Sequence, residues 1–286
     1  MEFIRSLLFV PGVRERFIEK APSASADAIC LDLEDSVPPA EKEHAREVVR
    51  NAIPTMPRTG YRLVVRVNGL DTGLLEEDLS AVVSEHLDGI SLPKCHNPEI
   101  LKQVDAYLAF LEKTRGQEPG HVKLYPWIES AEALFKAVDI LRASPRVIGA
   151  SLGAEDFANN MGVMRTKSGK EVEFARYALA VACTASGVIA LDTPEMDFRD
   201  QEQLERDASF ARSIGFRGKY CIHPDQVPTV NRIFSPTEAE MEFARKVVAA
   251  YEEGEKRGLG AVALEGTVID WPVYTRALAI LRAVQS

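Results

Sequence analysis

Cysteine is scarce in this chain of 286 residues, and its distribution argues against a cysteine-based scaffold. The four cysteines are Cys30, Cys95, Cys183 and Cys221. No two of them form a C-x-x-C pair, and each lies in an apolar or strand-like run. We therefore expect four buried, reduced thiols in a cytoplasmic protein. No histidine and cysteine cluster has the spacing of a zinc site, so zinc is disfavoured.

Long hydrophobic runs are also absent. No apolar run reaches the roughly 20 residues that a membrane-spanning helix needs. The opening segment Met1–Pro11 has a short apolar run but no small-residue cleavage pattern, so we do not interpret it as a signal peptide. Basic residues are the minority, with 34 Lys and Arg against 43 Asp and Glu, which gives a net charge of −9. This balance disfavours binding to nucleic acid or to an anionic membrane, although it permits a local basic site for a small phosphorylated ligand.

The positive feature of the sequence is a regular alternation of short apolar runs and longer amphipathic segments. The runs predict eight strands at Ser6–Val10, Ala28–Leu33, Arg62–Val67, Gly89–Leu92, Val122–Ile128, Val147–Leu152, Val188–Leu191 and Lys219–Ile222. The segments predict helices at Arg14–Lys20, Ala40–Ala52, Leu74–Glu85, Pro98–Lys113, Ala131–Arg142, Glu171–Ser186, Gln201–Ser213 and Asp225–Phe234. Apolar strands with little alternation are typical of a parallel sheet that is covered on both faces.

Eight strand–helix pairs predict an α/β fold of the (β/α)₈ type, a TIM barrel. A doubly wound sheet is the alternative, but it shows fewer strands as a rule, and its dinucleotide-binding members carry a glycine fingerprint after the first strand. The sequence contains neither G-x-G-x-x-G nor G-x-x-x-x-G-K-[ST]. We therefore favour the barrel.

The pattern changes after Phe234. Ser235 is the predicted N-cap of a new helix, with Pro236 at the first helical position and Glu238 three residues after the cap. This helix is expected to end at about Lys256.

The rest of the chain predicts a small C-terminal piece. We expect Gly260–Asp270 to be ordered but irregular, and Pro272–Ala283 to form a last helix. The domain prediction is a barrel over residues 1–234 and a C-terminal helical extension with a lid segment over residues 235–286. Because about 50 residues make a poor independent core, we expect the extension to pack on the barrel or on a neighbouring subunit.

Ionisable residues follow the predicted strands, at the rim where (β/α)₈ enzymes place their reactive groups. Arg14 comes three residues after the Pro11-Gly12 end of the first strand, and the other strand ends carry Asp32, Glu34 and Asp35, then Arg66, Lys94, Glu129, Glu155 with Asp156, Asp192 and His223. So many ionisable groups on one rim predict an acidic mouth with a few cations.

The acidic mouth suggests a divalent metal, because crowded like charges are otherwise unfavourable. Glu129 and Asp156 end the neighbouring strands 5 and 6, so their carboxylates can converge. Two carboxylates, completed by water and substrate, describe a Mg²⁺ site. The alternative is that one of the two caps the helix that follows it.

Arg66 is the second anchor of the predicted site. Its permanently charged fork suits a carboxylate or a developing enolate oxygen, and the alternative is a structural salt bridge to the acids of strand 2. Of those acids, Glu34 and Asp35 are expected to point to different sides, with one holding a metal-bound water or an arginine and the other holding a loop. His223 is interpreted as a packed histidine rather than a base.

Several motifs together are specific enough to indicate a family. They are Arg5-Ser-Leu-Leu-Phe-Val-Pro-Gly, Asp32-Leu-Glu-Asp-Ser-Val-Pro-Pro, Arg66-Val-Asn-Gly, Leu92-Pro-Lys, Ile128-Glu-Ser, Gly153-Ala-Glu-Asp, Cys221-Ile-His-Pro and Val268-Ile-Asp. In this order and at barrel spacing, over nearly the whole chain, the sequence resembles the citrate lyase β-subunit-like proteins of the HpcH/HpaI aldolase superfamily. That superfamily includes malyl-CoA and citramalyl-CoA lyases.

The resemblance implies a barrel that assembles as a homotrimer or a multiple of it, such as a hexamer. It implies Mg²⁺ held by Glu129 and Asp156, and Arg66 at the substrate carbonyl. It implies that Asp270, in a lid supplied by a neighbouring subunit, is the catalytic acid and base. The other implied substrate-binding groups are Glu34, Asp35 and the backbone amides near the substrate carboxylate, at Gly153, Ala154, Glu155 and Asp156.

The activity implied is the reversible, Mg²⁺-dependent cleavage of a 3-hydroxy-3-carboxyacyl-CoA thioester to acetyl-CoA and an α-keto acid. Citramalyl-CoA, malyl-CoA and citryl-CoA share this unit and release pyruvate, glyoxylate and oxaloacetate. Arg14 and Lys20 are candidates for the CoA phosphates, with a solvated helix surface as the alternative. An acyl-carrier protein could replace CoA, which would make the chain a lyase subunit that needs a partner. Three other readings are an aldolase for free hydroxy acids, which Asp270 argues against, a phosphoenolpyruvate-type barrel enzyme, and an inactive barrel that only binds ligands.

Overall fold

Eight parallel strands close into a barrel in the order of the sequence. The computed structural model describes residues 4–282. The strands are β1 (Ser6–Pro11), β2 (Ala28–Asp32), β3 (Arg62–Arg66), β4 (Gly89–Leu92), β5 (Lys123–Ile128), β6 (Gly149–Leu152), β7 (Ile189–Asp192) and β8 (Gly218–Cys221). Strand β1 pairs with β2 on one side and with β8 on the other, which closes the ring. The predicted TIM barrel is confirmed.

Ten helices surround the barrel in the described part of the chain. They are α1 (Glu15–Lys20), α2 (Lys42–Ala52), α3 (Leu75–Val82), α4 (Pro98–Thr114), α5 (Ala131–Phe135), α6 (Ala137–Leu141), α7 (Ala154–Asn160), α8 (Lys170–Ser186), α9 (Gln201–Ser213) and α10 (Val227–Phe234). The single helix predicted over Ala131–Arg142 is wrong, because the backbone at Lys136 (φ −101°, ψ 7°) leaves the helical region and separates α5 from α6. Helix α7 was not predicted, because a segment of seven residues is too short to show the periodicity of apolar residues that indicates a helix.

The apolar residues divide into an outer and an inner layer. The outer layer joins one face of the strands to the surrounding helices in one large cluster. The inner layer fills the barrel itself with a smaller cluster that includes Leu7, Trp127, Leu191 and Tyr220. Strands that are buried on both faces explain why the runs in the sequence are apolar without alternation.

All four cysteines lie in these buried layers, as expected. Burial raises the pKa of the Cys183 and Cys221 thiols to about 12, so both are protonated at neutral pH. Among residues 4–282, no helix is both long enough and apolar enough to cross a membrane.

The chain divides into two compact units after Phe234. The second unit contains helix α11 (Glu238–Lys256), strands β9 (Val262–Leu264) and β10 (Thr267–Ile269), and helix α12 (Trp271–Arg282). The N-cap predicted at Ser235 is wrong. Thr237 is the N-cap, because its hydroxyl accepts the Glu240 amide while the Glu240 carboxylate accepts the Thr237 amide, so both terminal donors are satisfied.

The predicted irregular segment Gly260–Asp270 is also wrong. Strands β9 and β10 pair there as an antiparallel hairpin, with Val262 opposite Ile269. Glu265 and Gly266 occupy the turn with φ values of +49° and +82°, the sign that a tight two-residue hairpin turn requires. Three-residue strands show too little alternation for the sequence to reveal them.

A buried network of four charges joins the last two strands of the barrel to helices α8 and α9. Lys219 Nζ donates to Asp192 at 2.6 Å and also to Asp207. Arg176 donates to Asp192 and to Asp207, each at 2.7 Å. Burial by itself would raise the pKa of Asp207, but the charges of Lys219 and Arg176 outweigh burial and lower this pKa to about 2.

Asp207→Asn should therefore change how stability depends on pH. A carboxyl group whose pKa is lower in the folded than in the unfolded chain stabilises the fold above its unfolded pKa of about 3.9, and loses that contribution as the pH falls toward 2. We expect the variant to lose about 2–3 kcal/mol of unfolding free energy at pH 7. Denaturant unfolding at pH 7, 4 and 3 measures this. The difference between wild type and variant should narrow below pH 4, and an unchanged difference would contradict the expectation.

Candidate active site

A cavity of about 320 Å³ lies at the carboxyl ends of the strands. The residues that line the cavity can be grouped by the strand that they follow around the barrel. Charged groups from β2, β3, β5 and β6 face it from one arc, namely Asp32, Asp35, Arg66, Glu129, Glu155 and Asp156. Mostly apolar groups from β7, β8 and β1 form the other arc, namely Thr193, Pro194, Met196, Ile222, Phe9 and Pro11. A larger cavity of about 530 Å³ lies between helices α1 and α2, and none of these charged groups lines it.

Glu129, at the end of β5, is held from both neighbouring strands. One oxygen, Oε2, accepts the backbone amide of Lys94 at 2.6 Å. Lys94 has a φ of +55°, a strained value that a non-glycine residue rarely adopts and that accompanies this hydrogen bond. On the β6 side, a Cβ atom on Gly153 would lie 2.4 Å from Glu129 Cγ and 2.6 Å from Oε1. Only glycine at position 153 leaves room for this carboxylate.

Asp156 lies in the first turn of α7 and lines the same cavity. Neither it nor Glu129 is a helix cap, because Ser130 caps α5 and Gly153 is at the N-cap position of α7. The pKa of Glu129 is raised to about 7. Burial is the largest cause and the charge of Asp156 adds to it, while the hydrogen bond from the Lys94 amide lowers the pKa. Burial, followed by the charge of Asp35, raises the pKa of Asp156. The site therefore gathers negative charge that a cation would neutralise.

The donors in the cavity fit a hard divalent cation. Within residues 4–282, no group of three or more His, Cys, Asp and Glu side chains is arranged to hold a metal. The residues that line the cavity include Glu129 and Asp156 but no histidine or cysteine. Mg²⁺ is characteristically held by one or two carboxylates and completes its shell with water and substrate oxygens. The space kept by Gly153 beside Glu129 Oε1 agrees with this arrangement.

Arg66, at the end of β3, forms the salt bridge that the sequence left as an alternative. Its Nε and Nη2 donate to the two oxygens of Asp32, each at 2.7 Å. The strand register places the two residues directly opposite each other. Burial would lower the pKa of Arg66, but the charge of Asp32 and its hydrogen bonds raise it well above its ordinary value. Arg66 also lines the cavity, so the salt bridge and a role in substrate binding are compatible.

The expectations for Glu34 and Asp35 are wrong in two respects, because the two side chains do not point to different sides and neither of them holds the loop. Asp32 does so, accepting the amides of Glu34 at 2.9 Å and Ser36 at 3.1 Å. Glu34 and Asp35 both approach Arg66 Nη1, at 3.1 and 3.3 Å. The difference between them is burial, since the Asp35 side chain is 66% exposed and that of Glu34 is 7% exposed. Burial raises the pKa of Glu34 to about 8, although the charge of Arg66 opposes the shift.

The remaining predicted residues lie elsewhere. His223 is only half-buried, with a side chain that is 39% exposed, a ring 4.6 Å from that of Phe198 and an Nδ1 that accepts the Asp225 amide. Arg14 and Lys20 are exposed at the two ends of α1 and do not line the cavity. Asp270 belongs to the second unit, where its Oδ1 accepts the Val273 amide at the start of α12. The predicted roles of Arg14, Lys20 and Asp270 stay predictions.

Three contributors to the site were not predicted from the sequence. Asp32 was recognised only as one of three clustered acids, and its register with Arg66 is what singles it out. Lys94 acts through its backbone amide, which no side-chain pattern reveals. Phe9 lies beneath Arg66, with its ring centroid 4.5 Å from the guanidinium carbon. Because Phe9 belongs to an apolar strand, the sequence does not distinguish it from the residues of the core.

Comparison with known proteins gives a consistent result. The profile of the HpcH/HpaI aldolase/citrate lyase family matches residues 5–224. The chain is 36% identical over 278 residues to a citrate lyase subunit beta of Leuconostoc mesenteroides subsp. cremoris, covering 97% of this chain and 92% of that protein. It is 34% identical over 301 residues to an L-malyl-CoA/beta-methylmalyl-CoA lyase of Rhodobacter capsulatus, covering 98% and 94%. The crystal structure of CitE from Mycobacterium tuberculosis with magnesium, acetoacetate and coenzyme A superposes with a TM-score of 0.80 at 30% identity, covering 99% of each chain.

Proposed function

The chain belongs to the HpcH/HpaI aldolase/citrate lyase family, and from this premise we propose that it is a magnesium-dependent lyase acting on CoA thioesters. The reaction proposed is the reversible cleavage of a 3-hydroxy-3-carboxyacyl thioester to an acetyl thioester and an α-keto acid. The observation that carries the proposal is the cavity that combines Glu129, Asp156 and the fixed guanidinium of Arg66. The relatives named as lyases, and the CitE structure that contains magnesium and coenzyme A, support it.

Each of these residues has a definite task in this reaction. Glu129 and Asp156 would hold Mg²⁺, and Arg66 would donate to the thioester oxygen. When bound, Mg²⁺ supplies Lewis acidity that lowers the pKa of the substrate hydroxyl. The 3-hydroxyl gives its proton to water, and its oxygen forms the carbonyl of the α-keto acid as the C2–C3 bond breaks. The electron pair of that bond becomes the enolate, whose negative charge develops on the thioester oxygen beside Arg66. A preorganised donor stabilises this charge without having to reorient.

Protonation of the resulting enolate is the second task. We assign it to Asp270, which in the cleavage direction gives its proton to C2 and in the synthetic direction removes it. By resemblance to the family, this carboxyl group would act in the site of a neighbouring subunit of a homotrimer or hexamer.

A second candidate is a lyase subunit that acts on an acyl-carrier-protein thioester. The observation that favours it is that several relatives are named as the beta subunit of citrate lyase, a name that implies partner subunits. The chemistry at C2 and C3 would be the same, and only the carrier of the thioester would differ.

The test is condensation in the synthetic direction. Purified protein is incubated with Mg²⁺, acetyl-CoA and pyruvate, glyoxylate or oxaloacetate, and the products are followed by mass spectrometry. We expect a hydroxyacyl-CoA with one keto acid, abolished by a chelator and about a hundredfold slower in Asp270→Asn. Calorimetric titration with Mg²⁺ and pyruvate is the companion measurement. Protein that binds both but forms no product with any keto acid would overturn the stand-alone CoA lyase in favour of the carrier-dependent subunit.

A further inference from the structure

The guanidinium of Arg66 is held by an aromatic ring as well as by its ion pair with Asp32. Asp32 takes the fork of the guanidinium formed by Nε and Nη2, at 2.7 Å for each contact. Phe9 covers one face of the group, since the guanidinium carbon lies 4.5 Å from the ring centroid. Nη1 donates to Asp35 at 3.3 Å and forms an ion pair, without a hydrogen bond, with Glu34 at 3.1 Å.

Phe9 itself is fixed by an aromatic stack inside the barrel. Its ring lies 4.8 Å from that of Tyr220 and 5.9 Å from that of Trp127, which are 4.6 Å apart from each other. Trp127 Nε1 donates to Ser91 Oγ at 2.7 Å. The three rings come from β1, β5 and β8, and two of them, Phe9 and Trp127, also line the cavity. A side chain held from three strands makes a rigid support.

These contacts decide which part of Arg66 a substrate can reach. The bidentate edge is occupied by Asp32, and one face is occupied by Phe9. Nη1 and the second N–H of Nη2 remain, and the more exposed partner of Nη1 is Asp35, with a side chain that is 66% exposed. A substrate oxygen can displace a solvated carboxylate such as Asp35 more easily than the buried Asp32.

Building on the proposed function, we propose that Phe9 is a positioning residue that holds Arg66 so that Nη1 faces the substrate. Asp32 occupies the side-on fork of Nε and Nη2, so the N–H groups of Nη1 and the second N–H of Nη2 stay available to the substrate. A thioester carbonyl needs a good donor where its charge develops, and an arginine held in this way supplies that donor without reorienting.

The experiment compares Phe9→Leu, which removes the aromatic face, with Phe9→Tyr, which keeps it. We expect Phe9→Leu to lower kcat about tenfold, with KM for the thioester changed less than about threefold, and Phe9→Tyr to keep kcat within about threefold of wild type. A second readout needs no substrate, namely the rate at which phenylglyoxal modifies Arg66, followed by peptide mass spectrometry. Release of the guanidinium in Phe9→Leu should make this modification several-fold faster.

The chain offers a matched control. Arg176 is bound to Asp192 through Nε and Nη2, and its guanidinium carbon lies 4.9 Å from the ring of Phe210, which does not line the cavity. Phe210→Leu makes the same change beneath a different arginine, so kcat should stay within about twofold and the Arg66 peptide should react as in wild type.

Two results would overturn the positioning role of Phe9. One is an unchanged phenylglyoxal rate at Arg66 in Phe9→Leu. The other is a kcat for Phe9→Tyr as low as that for Phe9→Leu, which would mean that the shape of the side chain matters rather than its aromatic face. If wild-type protein forms no hydroxyacyl-CoA, the proposed function fails, and the phenylglyoxal comparison still tests the support of Arg66 by Phe9.

Discussion

Asp32→Ala is expected to lower the free energy of unfolding by about 3–5 kcal/mol and kcat by about a thousandfold. The reason is that Arg66, whose side chain is 11% exposed, would keep its charge without its bidentate partner. Removing one member of a buried ion pair leaves an uncompensated charge, which is far more harmful than removing the pair. The same change also removes the hydrogen bonds that the backbone amides of Glu34 and Ser36 donate to the Asp32 carboxylate, so the loop loses its support. Denaturant unfolding and initial rates of hydroxyacyl-CoA formation measure the two effects.

Asp32→Asn serves as a second variant in case the alanine variant does not fold. Asparagine keeps the shape and one acceptor oxygen but not the charge, so we expect a smaller loss of stability and a similar loss of kcat. Asp35→Asn is the matched control for stability. It also removes a carboxylate from Arg66, but from an exposed side chain, so unfolding should change by less than about 1 kcal/mol. If the Asp32 and Asp35 variants had equal free energies of unfolding, the buried Asp32–Arg66 ion pair would not stabilise the fold as we expect.

Gly153→Ala is expected to abolish most Mg²⁺ binding and to lower kcat by about a thousandfold. The added Cβ would lie 2.4 Å from Glu129 Cγ and 2.6 Å from Oε1, distances at which one of the groups has to move. The backbone at Gly153 has a φ of −82°, which alanine can adopt, so the effect comes from the contact and not from strain. Overpacking of this kind costs about 1–3 kcal/mol of stability, and the folded protein should remain available for titration calorimetry with Mg²⁺.

A double-mutant cycle separates this contact from other effects at the start of α7. Glu129→Ala removes Cγ and the carboxylate, which are the atoms that the new methyl group would strike, and by itself it should weaken Mg²⁺ binding. In the Glu129→Ala background, Gly153→Ala should add little further loss of unfolding free energy, because the clash is gone. Equal losses in both backgrounds would show that Gly153 acts through the backbone of α7 rather than through Glu129.

Both predictions concern contacts between residues that are distant in the chain. Asp32 and Arg66 lie at the ends of neighbouring strands, and so do Lys94, Glu129 and Gly153. The sequence placed most of these residues correctly on one rim, because strand ends can be located from apolar runs. It did not determine which of them touch, because that depends on the register and on the stagger of strands around the ring.

The case of the three acids after β2 shows the limit most clearly. In the sequence, Asp32, Glu34 and Asp35 are equivalent candidates for Arg66. In the structure, all three carboxylates reach the guanidinium, but Asp32 alone binds two of its nitrogens, Nε and Nη2, and also accepts a loop amide. The choice follows from the β2–β3 register, which sets Asp32 opposite Arg66. The residues around Asp32 do not by themselves predict which residue of β3 pairs with it.

The (β/α)₈ barrel, the family and several of the ionisable groups that line the cavity could be predicted from the sequence alone. These follow from periodicity, composition and motif order, which are local or additive along the chain. The tertiary structure decided that Asp32 and Phe9 hold Arg66, that a strained Lys94 amide and the missing side chain of Gly153 hold Glu129, and that a hairpin precedes Asp270. These outcomes depend on close contacts and unusual backbone angles, which arise only when distant strands are brought to within a few ångströms of each other.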